Sequence, residues 1–132
     1  MAALTLFNAF SANLANKKHN LSADQLVVAL TNTVPTVGMV ALSELTQISY
    51  TNLSSRNVST VSSTQTDGDY SLVTTDLLLS ASGIVPQFRY VTLYNSAATN
   101  FELIGWYDRG SAIDMIAGDT FLVDFGATTL TM

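Results

Sequence analysis

From residue 57 onward the sequence is a series of short extended runs separated by turn residues. The run at 58–63 is followed by Asp67-Gly68, a pair typical of the tight turn of a β-hairpin, and a second run at 70–74 comes after that pair. Later runs of the same kind occupy 77–81, 88–95, 102–107, 120–125 and 128–131. Turn signals recur about every ten residues, a spacing typical of a β-sandwich, a jelly roll or a small barrel. The chain is therefore predicted to be mainly β.

Two earlier segments have periodic patterns of their own. The apolar residues Leu4, Phe7, Phe10 and Leu14 recur at helical spacing, which predicts a short N-terminal helix over about 4–18. The run QLVVALT at 25–31 is rich in β-branched residues and predicts a buried strand. With 132 residues the chain is long enough for one hydrophobic core, so we expect a single domain over 1–132, in which an antiparallel β-sandwich occupies about 25–132.

Two details of the later runs can be checked directly. The run FRYVTLYN at 88–95 alternates so that Phe88 is predicted to share a face with Tyr90 and Tyr94, opposite Val91. Both faces of this strand are partly apolar, which is typical of a strand covered on both sides. The triplet Asp108-Arg109-Gly110 is predicted to be a turn that ends the run before it.

The surface of the chain is poor in charge. Hydrophobic residues make up 48% of the sequence and charged residues 11%, against roughly 25% charged in an ordinary soluble protein. The polar residues are mostly Ser, Thr, Asn and Gln, which can form hydrogen bonds across a contact without burying an ion. This composition favours a protein that packs against other copies of itself or a partner.

Charge and hydropathy also exclude some partners. The net charge of −5 gives no basic field that would attract a nucleic-acid backbone, so nucleic-acid binding is not expected. The uncharged stretch 25–43 is long enough to cross a bilayer, but it contains Pro35 and Gly38 among polar residues, so a membrane span is not expected either.

The sequence contains no pattern typical of a catalytic or metal site. The single histidine, His19, lies at the end of the predicted helix beside Lys17 and Lys18, which predicts a solvent-exposed helix terminus without a carboxylate partner. Cysteine is absent, so thiolate ligands and cysteine nucleophiles are excluded. Four aspartates invite a paired-carboxylate hypothesis for glycoside hydrolysis, although most of them lie near predicted turns: Asp108, Asp114, Asp119 and Asp124. We predict that the chain is not an enzyme and has no catalytic residue, metal ion or cofactor.

Five stretches, in order along nearly the whole chain, share a pattern of β-segments and turns. They are LFNAFSANLANKKHNL (6–21), QLVVALTNTVP (25–35), LTQISYTN (45–52), FRYVTLYN (88–95) and LIGWYDRGSAIDMIAGDTFLVDF (103–125). Together they resemble the capsid cement or decoration proteins, a family of small virion proteins of tailed bacteriophages. The resemblance implies a β-sandwich of jelly-roll type that binds the outside of an icosahedral capsid at junctions between capsomers.

The resemblance also implies partners and a location. The phage major capsid protein would be the partner, and the chain would act as a homo-dimer or homo-trimer on the outer surface of the virion after synthesis in the host cytoplasm. The N-terminal residues Phe7, Phe10 and Leu14 are the predicted contacts to a neighbouring subunit or the shell, with capping of an open end of the sandwich as an equal alternative. Partner carboxylates are predicted to be bound by the three arginines, Arg56, Arg89 and Arg109.

Two further functions stay open at this point. A phage tail-tip or fibre head domain would share the β-rich, low-charge character. A carbohydrate-binding β-sandwich module would use aromatic residues such as Trp106 and Tyr107 as a flat, exposed platform, whereas aromatic residues in such runs more often belong to the core of a sheet.

Overall fold

The structure, a computed structural model, describes residues 4–132. The described chain is mainly β, with antiparallel sheets and one short helix, as the spacing of the turn signals predicts. Its ten strands, β1 to β10, are Thr5–Leu6, Leu26–Thr31, Asn57–Val58, Thr60–Thr66, Asp69–Thr74, Leu77–Ser80, Val85–Asn95, Leu103–Met115, Thr120–Val123 and Leu130–Thr131. The helix α1 spans Phe10–Ala15, and a single 3₁₀ turn spans Leu42–Glu44.

The strands form three sheets. The largest has five strands in the order β1-β8-β7-β2-β3, and two smaller sheets have the orders β10-β5-β4 and β6-β9. Every pair of neighbouring strands is antiparallel. The long strands β7 and β8 are adjacent in the five-stranded sheet, and they organise the rest of the fold.

The five-stranded sheet is buried on both of its faces. One face carries Val28 and Val91 into the main core, where Leu72 of β5 and Leu79 of β6 also lie. The other face carries Trp106 into a second apolar cluster, which includes Leu45 and is packed against by Met39 and Leu42 from the long connection after β2. Burial on both faces explains why β2 is apolar throughout, and the prediction of a buried strand at 25–31 is confirmed.

The predicted hairpin forms at Asp67-Gly68, between β4 and β5. Asp67 and Gly68 both have positive φ values, 54° and 89°, as a type I′ turn requires. The side-chain oxygen of Gln65 accepts a hydrogen bond from the Gly68 N–H at 2.9 Å and closes the turn.

The N-terminal helix is shorter than the periodic pattern predicts. Thr5 and Leu6 instead form β1, which pairs with Trp106 and Gly105 at the edge of the five-stranded sheet. A Cβ atom at Gly105 would lie 2.9 Å from the Thr5 carbonyl oxygen, so the glycine permits this close approach. Within the predicted helix at 4–18, the first residues therefore form a strand, and only the six residues Phe10–Ala15 are helical.

Lys17 follows the end of the helix, shortly before the end at about residue 18 that the apolar spacing predicts. Lys17 has a φ of 65°, and its N–H and that of Lys18 reach back to the carbonyl oxygens of Leu14 and Asn13. This pair of bonds is a Schellman motif, which terminates a helix through one residue in the left-handed region.

The triplet Asp108-Arg109-Gly110 is not the end of a strand, contrary to the sequence prediction. β8 continues to Met115, and the triplet lies within a bulge where Gly110 has a φ of 100°. On β7 the pairing register also shifts between Phe88 and Tyr90. The alternation of side chains between the two faces of the sheet is therefore displaced by one residue at this point. For this reason Phe88 lies in the main core with Val91, and not on the face of Tyr90 as the alternation predicts.

Candidate interaction surface

Strands β6 to β9 form one long ribbon that bends in the middle. β7 pairs with β8 and β6 pairs with β9, so the segment 77–95 lies antiparallel beside the segment 103–123. At the bend, the Ala81 N–H donates to the carbonyl oxygen of Asp119 and the Gly118 N–H donates to that of Ala81, both at 2.9 Å. The sheet that contains β7 and β8 is thereby joined directly to the two-stranded sheet.

Exposure alternates along residues 78–85 and 120–123 of this ribbon, whereas residues 116–119 at the bend are all exposed. Leu79, Val85, Met115 and Val123 point inward and are buried in the main core. The residues on the opposite side are exposed and uncharged, and we call this surface the ribbon face: Leu78, Ser80, Ser82, Ile84, Ile116, Thr120 and Leu122. Because side chains alternate between the two sides of a strand, these residues lie on the side of the ribbon that faces away from the main core.

Four aliphatic side chains dominate the ribbon face. Leu78 and Leu122 are directly opposite each other across β6 and β9, and they are 56% and 50% exposed. Ile84 and Ile116 flank the buried pair Val85 and Met115, and they are 74% and 61% exposed. Single exposed aliphatic residues are common, but a group of four on one ribbon is typical of an interaction site.

Acidic residues border the ribbon face. They lie at the far end of the β6–β9 pair or beside the bend: Asp76, Asp114, Asp119 and Asp124. Three of these carboxylates accept hydrogen bonds from backbone N–H groups of nearby loops, at 2.7 to 3.0 Å. These three hydrogen bonds shape turns, and the four acidic residues make the rim of the ribbon face negatively charged.

The predicted N-terminal contact residues point into the chain's own interior. Phe7 is buried in the second apolar cluster, with its ring centroid 4.8 Å from that of Trp106. Phe10 is buried in the main core on the other side of the sheet, and Leu14 is half-buried against that core. The structure therefore does not bring these three side chains together on an outward surface.

The three arginines lie apart, each with acceptors inside the chain. Arg89 makes two parallel hydrogen bonds to the Asp108 carboxylate, at 2.7 and 2.9 Å, and this contact holds the pKa of Asp108 below its usual value. Arg56 donates to the Val28 carbonyl oxygen at 2.7 Å and lies 3.6 Å above the ring of Tyr50. A partner carboxylate would have to compete with these contacts.

Arg109 is the most accessible of the three. Its guanidinium donates to the Ser111 carbonyl oxygen at 2.9 Å and to the Ser111 hydroxyl at 3.0 Å, and both residues are exposed. The guanidinium also lies 5.7 Å from the ring centroid of Phe121, beside the β6–β9 pair. Phe121 alternates with Leu122 along β9, so Arg109 approaches these strands from the side opposite the ribbon face.

A buried polar cluster lies at the opposite end of β7 and β8. His19 is 5% exposed, and its Nδ1 atom is 3.0 Å from the side-chain nitrogen of Asn95. That nitrogen also donates to the Asp24 carboxylate at 2.7 Å. Glu102, opposite Asn95 at the start of β8, is buried and accepts a hydrogen bond from the Asn100 N–H at 2.9 Å.

The prediction of a solvent-exposed His19 is therefore wrong. The chain turns sharply after α1 and folds His19 inward, where its ring packs 5.4 Å from that of Phe10. Burial lowers the pKa of His19, and the nearby carboxylates of Glu102 and Asp24 partly offset that effect. The sequence signal for this cluster was Glu102 itself, because an acidic residue between Phe101 and the apolar run that follows needs a polar partner.

The aromatic residues proposed for sugar binding are not arranged as a platform. Trp106 is 9% exposed and Tyr107 is 8% exposed, each within an apolar cluster. Within residues 4–132 no group of three or more potential metal-ligating side chains comes together. In the same range no helix is long and apolar enough to cross a membrane.

Comparisons of the chain with protein-family models, with characterised proteins and with solved structures found no match.

Proposed function

We propose that this chain is a structural virion protein that binds the outer surface of a tailed-phage icosahedral capsid and stabilises the contacts between its capsomers. In this proposal the partner is the phage major capsid protein, and the chain acts without a cofactor and without enzymatic activity. The jelly-roll form of the sandwich and assembly as a homo-dimer or homo-trimer belong to the same proposal.

The observation that carries the contact role is the ribbon face. Its four aliphatic side chains are half or more exposed, and covering each of them would contribute about 1–2 kcal/mol. The hydroxyl groups of Ser80, Ser82 and Thr120 lie between them and can pair with polar groups of a partner. No ion has to be buried at the centre of such a contact.

The charge around the ribbon face indicates the chemistry of the partner surface. The acidic rim would repel the same rim on a second copy but would attract a surface that places basic side chains around an apolar centre. A shell surface of that kind fits the ribbon face better than a second copy does. Homo-oligomerisation would then use another part of the chain.

The partner's identity is supported by the resemblance of the five stretches to capsid cement proteins. A protein that binds only the assembled shell stabilises that shell by mass action, because dissociation of the capsomers also requires loss of the bound protein. Low charge and an exposed aliphatic surface are what such a role requires. The role needs no catalytic residue.

Mixing the purified protein with mature empty capsids of the phage that encodes it tests the proposal. We expect saturable binding at a fixed ratio to the major capsid protein and a higher melting temperature of the decorated shell. Binding only to tails or to host cells would contradict the proposal and would support a tail-tip or fibre head domain.

The carbohydrate-binding alternative is disfavoured by the burial of Trp106 against Phe7. A sugar-binding platform needs an exposed aromatic face, whereas Trp106 is buried within the second apolar cluster. We expect blue-shifted tryptophan fluorescence that resists quenching by iodide.

A further inference from the structure

The orientation of the Asn95 side chain is fixed by two partners that cannot exchange roles. Its oxygen accepts a hydrogen bond from the Ala97 N–H at 2.9 Å, and its nitrogen donates to the Asp24 carboxylate at 2.7 Å. Asp24 is itself held, because the same carboxylate oxygen accepts the Asn20 N–H at 2.8 Å. Turning the amide over would place its nitrogen against the Ala97 N–H and its oxygen against the Asp24 carboxylate. Two donors would then face each other, and so would two acceptors.

This orientation determines the protonation of His19. The Asn95 nitrogen lies 3.0 Å from His19 Nδ1 and can only donate, so Nδ1 must accept. The network therefore assigns the neutral tautomer with its proton on Nε2. A proton on Nδ1 would place two N–H donors against each other across this contact.

Two buried side-chain atoms of the cluster have no hydrogen-bond partner within the described residues. His19 Nε2 and Glu102 Oε2 are both buried without a partner, one a donor and the other an acceptor. The charged groups near the ring are Asp24 on its own segment and Glu102 on β8, while the side chains of Lys17 and Lys18 are exposed to solvent. A cavity of about 540 Å³, lined in part by His19, Lys17 and Tyr70, brings solvent to the edge of the cluster.

We propose that His19 is a proton-operated latch, which in its neutral form holds residues 16–25 on the end of the β7–β8 ribbon and which releases that segment when it is protonated. The proton comes from solvent and binds Nδ1, so the hydrogen bond from Asn95 is lost as the N–H bond forms. The segment also carries Leu21, which is buried in the main core, so its release uncovers apolar surface. This inference does not depend on the identity of the partner.

The direction of the pH effect follows from the network. The closed segment binds the proton less well than the released segment, because burial lowers the pKa of His19 below its ordinary value of 6.5. The latch is therefore fully effective above pH 6.5 and weakens as the pH falls below that value. Each unit by which the pKa is lowered corresponds to about a tenfold change in the closing equilibrium.

Nuclear magnetic resonance of the full chain tests the latch. At pH 7.5 the ring nitrogen shifts of His19 should show the proton on Nε2. Below pH 6.5 the amides of residues 16–25 should exchange faster with solvent, after correction for the intrinsic rate, while amides in β4 and β5 should not change. Glu102→Gln removes a nearby negative charge and should move the His19 midpoint to lower pH.

Two variants separate the latch from a general effect of acid. His19→Gln keeps an oxygen acceptor for Asn95 but cannot be protonated, so the pH dependence of amide exchange should disappear. Lys18→Gln changes an exposed charge on the same segment and should leave that dependence intact. A proton on Nδ1 at pH 7.5, or an unchanged pH dependence in His19→Gln, would overturn the proposal. If His19→Gln does not fold, the tautomer and the effect of Glu102→Gln still decide the question.

Discussion

The two ends of the β7–β8 ribbon are built in opposite ways. At one end polar and charged side chains, including His19, Asn95 and Glu102, are buried beneath residues 16–25. At the other end, where the ribbon bends into β6 and β9, aliphatic side chains such as Ile84 and Ile116 are exposed. The usual distribution of polar and apolar residues is reversed at both ends.

This difference shows which end of the ribbon is covered by the chain itself and which end is left exposed. The buried side chains of the polar end make hydrogen bonds within the chain, apart from the atoms His19 Nε2 and Glu102 Oε2, and residues 16–25 cover them. The aliphatic end has no covering segment within residues 4–132, so its contact with water is removed only when another molecule binds. Substitutions at the two ends should therefore separate folding from binding.

The largest effect on stability is expected for Phe10→Ala, which removes a buried ring beneath the polar end. The free energy of unfolding should fall by about 3–5 kcal/mol, because the ring leaves a cavity that the rigid sheet cannot fill. Ile84→Ala, at the exposed bend, should change it by less than about 0.5 kcal/mol. Urea unfolding measures both, and equal losses in the two variants would remove the distinction between the ends.

A smaller loss is expected for Asn95→Ala. The substitution leaves the Ala97 N–H and the Asp24 carboxylate without their partner, at a cost of about 1–3 kcal/mol. Asn57→Ala is the matched control, because Asn57 is exposed on the short strand β3. Thermal unfolding of the two variants should differ clearly, and a neutral Asn95→Ala would show that the polar cluster does not hold the segment.

The smallest effect is expected for Asp108→Asn, which breaks the exposed pair with Arg89. Arg89 lowers the pKa of Asp108, so the pair stabilises the fold above the ordinary pKa of 3.8, and this contribution is lost as the pH falls through the lowered value. The variant should lower the melting temperature slightly at pH 7 and low salt, and the difference should vanish in high salt. A large, salt-independent loss would mean that the bulge of β8 depends on this pair.

The sequence predicted most of the strands because hydrophobic alternation and turn chemistry are local. The sequence prediction was wrong where the local structure depends on contacts with distant parts of the chain. The bulges near Phe88 and Gly110 depend on the pairing of two long strands, and β1 depends on the edge of β8 that Gly105 leaves accessible. Local patterns contain no information about such pairing.

The candidate sites show the same limit. The turn after α1 determines whether His19 is exposed or buried. Its hydrogen-bond partner Asn95 and the nearby carboxylate of Glu102 lie more than 70 residues away in the sequence. The ribbon face forms because β6 pairs with β9 and brings Leu78 opposite Leu122. Neither residue by itself indicates an interaction surface in the sequence. The three arginines are predicted to bind carboxylates of a partner, and Arg89 makes such a contact with Asp108 within the chain.

The most direct test of the contact role is a comparison of capsid binding by two variants that remove equally exposed aliphatic side chains. The first is the double variant Leu78→Ser with Leu122→Ser on the ribbon face, and the second is Val61→Ser on β4, where Val61 is 63% exposed. We expect the double variant to bind empty capsids at least about tenfold more weakly than the unchanged protein, a loss of about 1.4 kcal/mol or more, while Val61→Ser binds normally and both remain folded. Unchanged binding by the double variant, or no binding by the unchanged protein, would contradict the assignment of the ribbon face as the capsid contact.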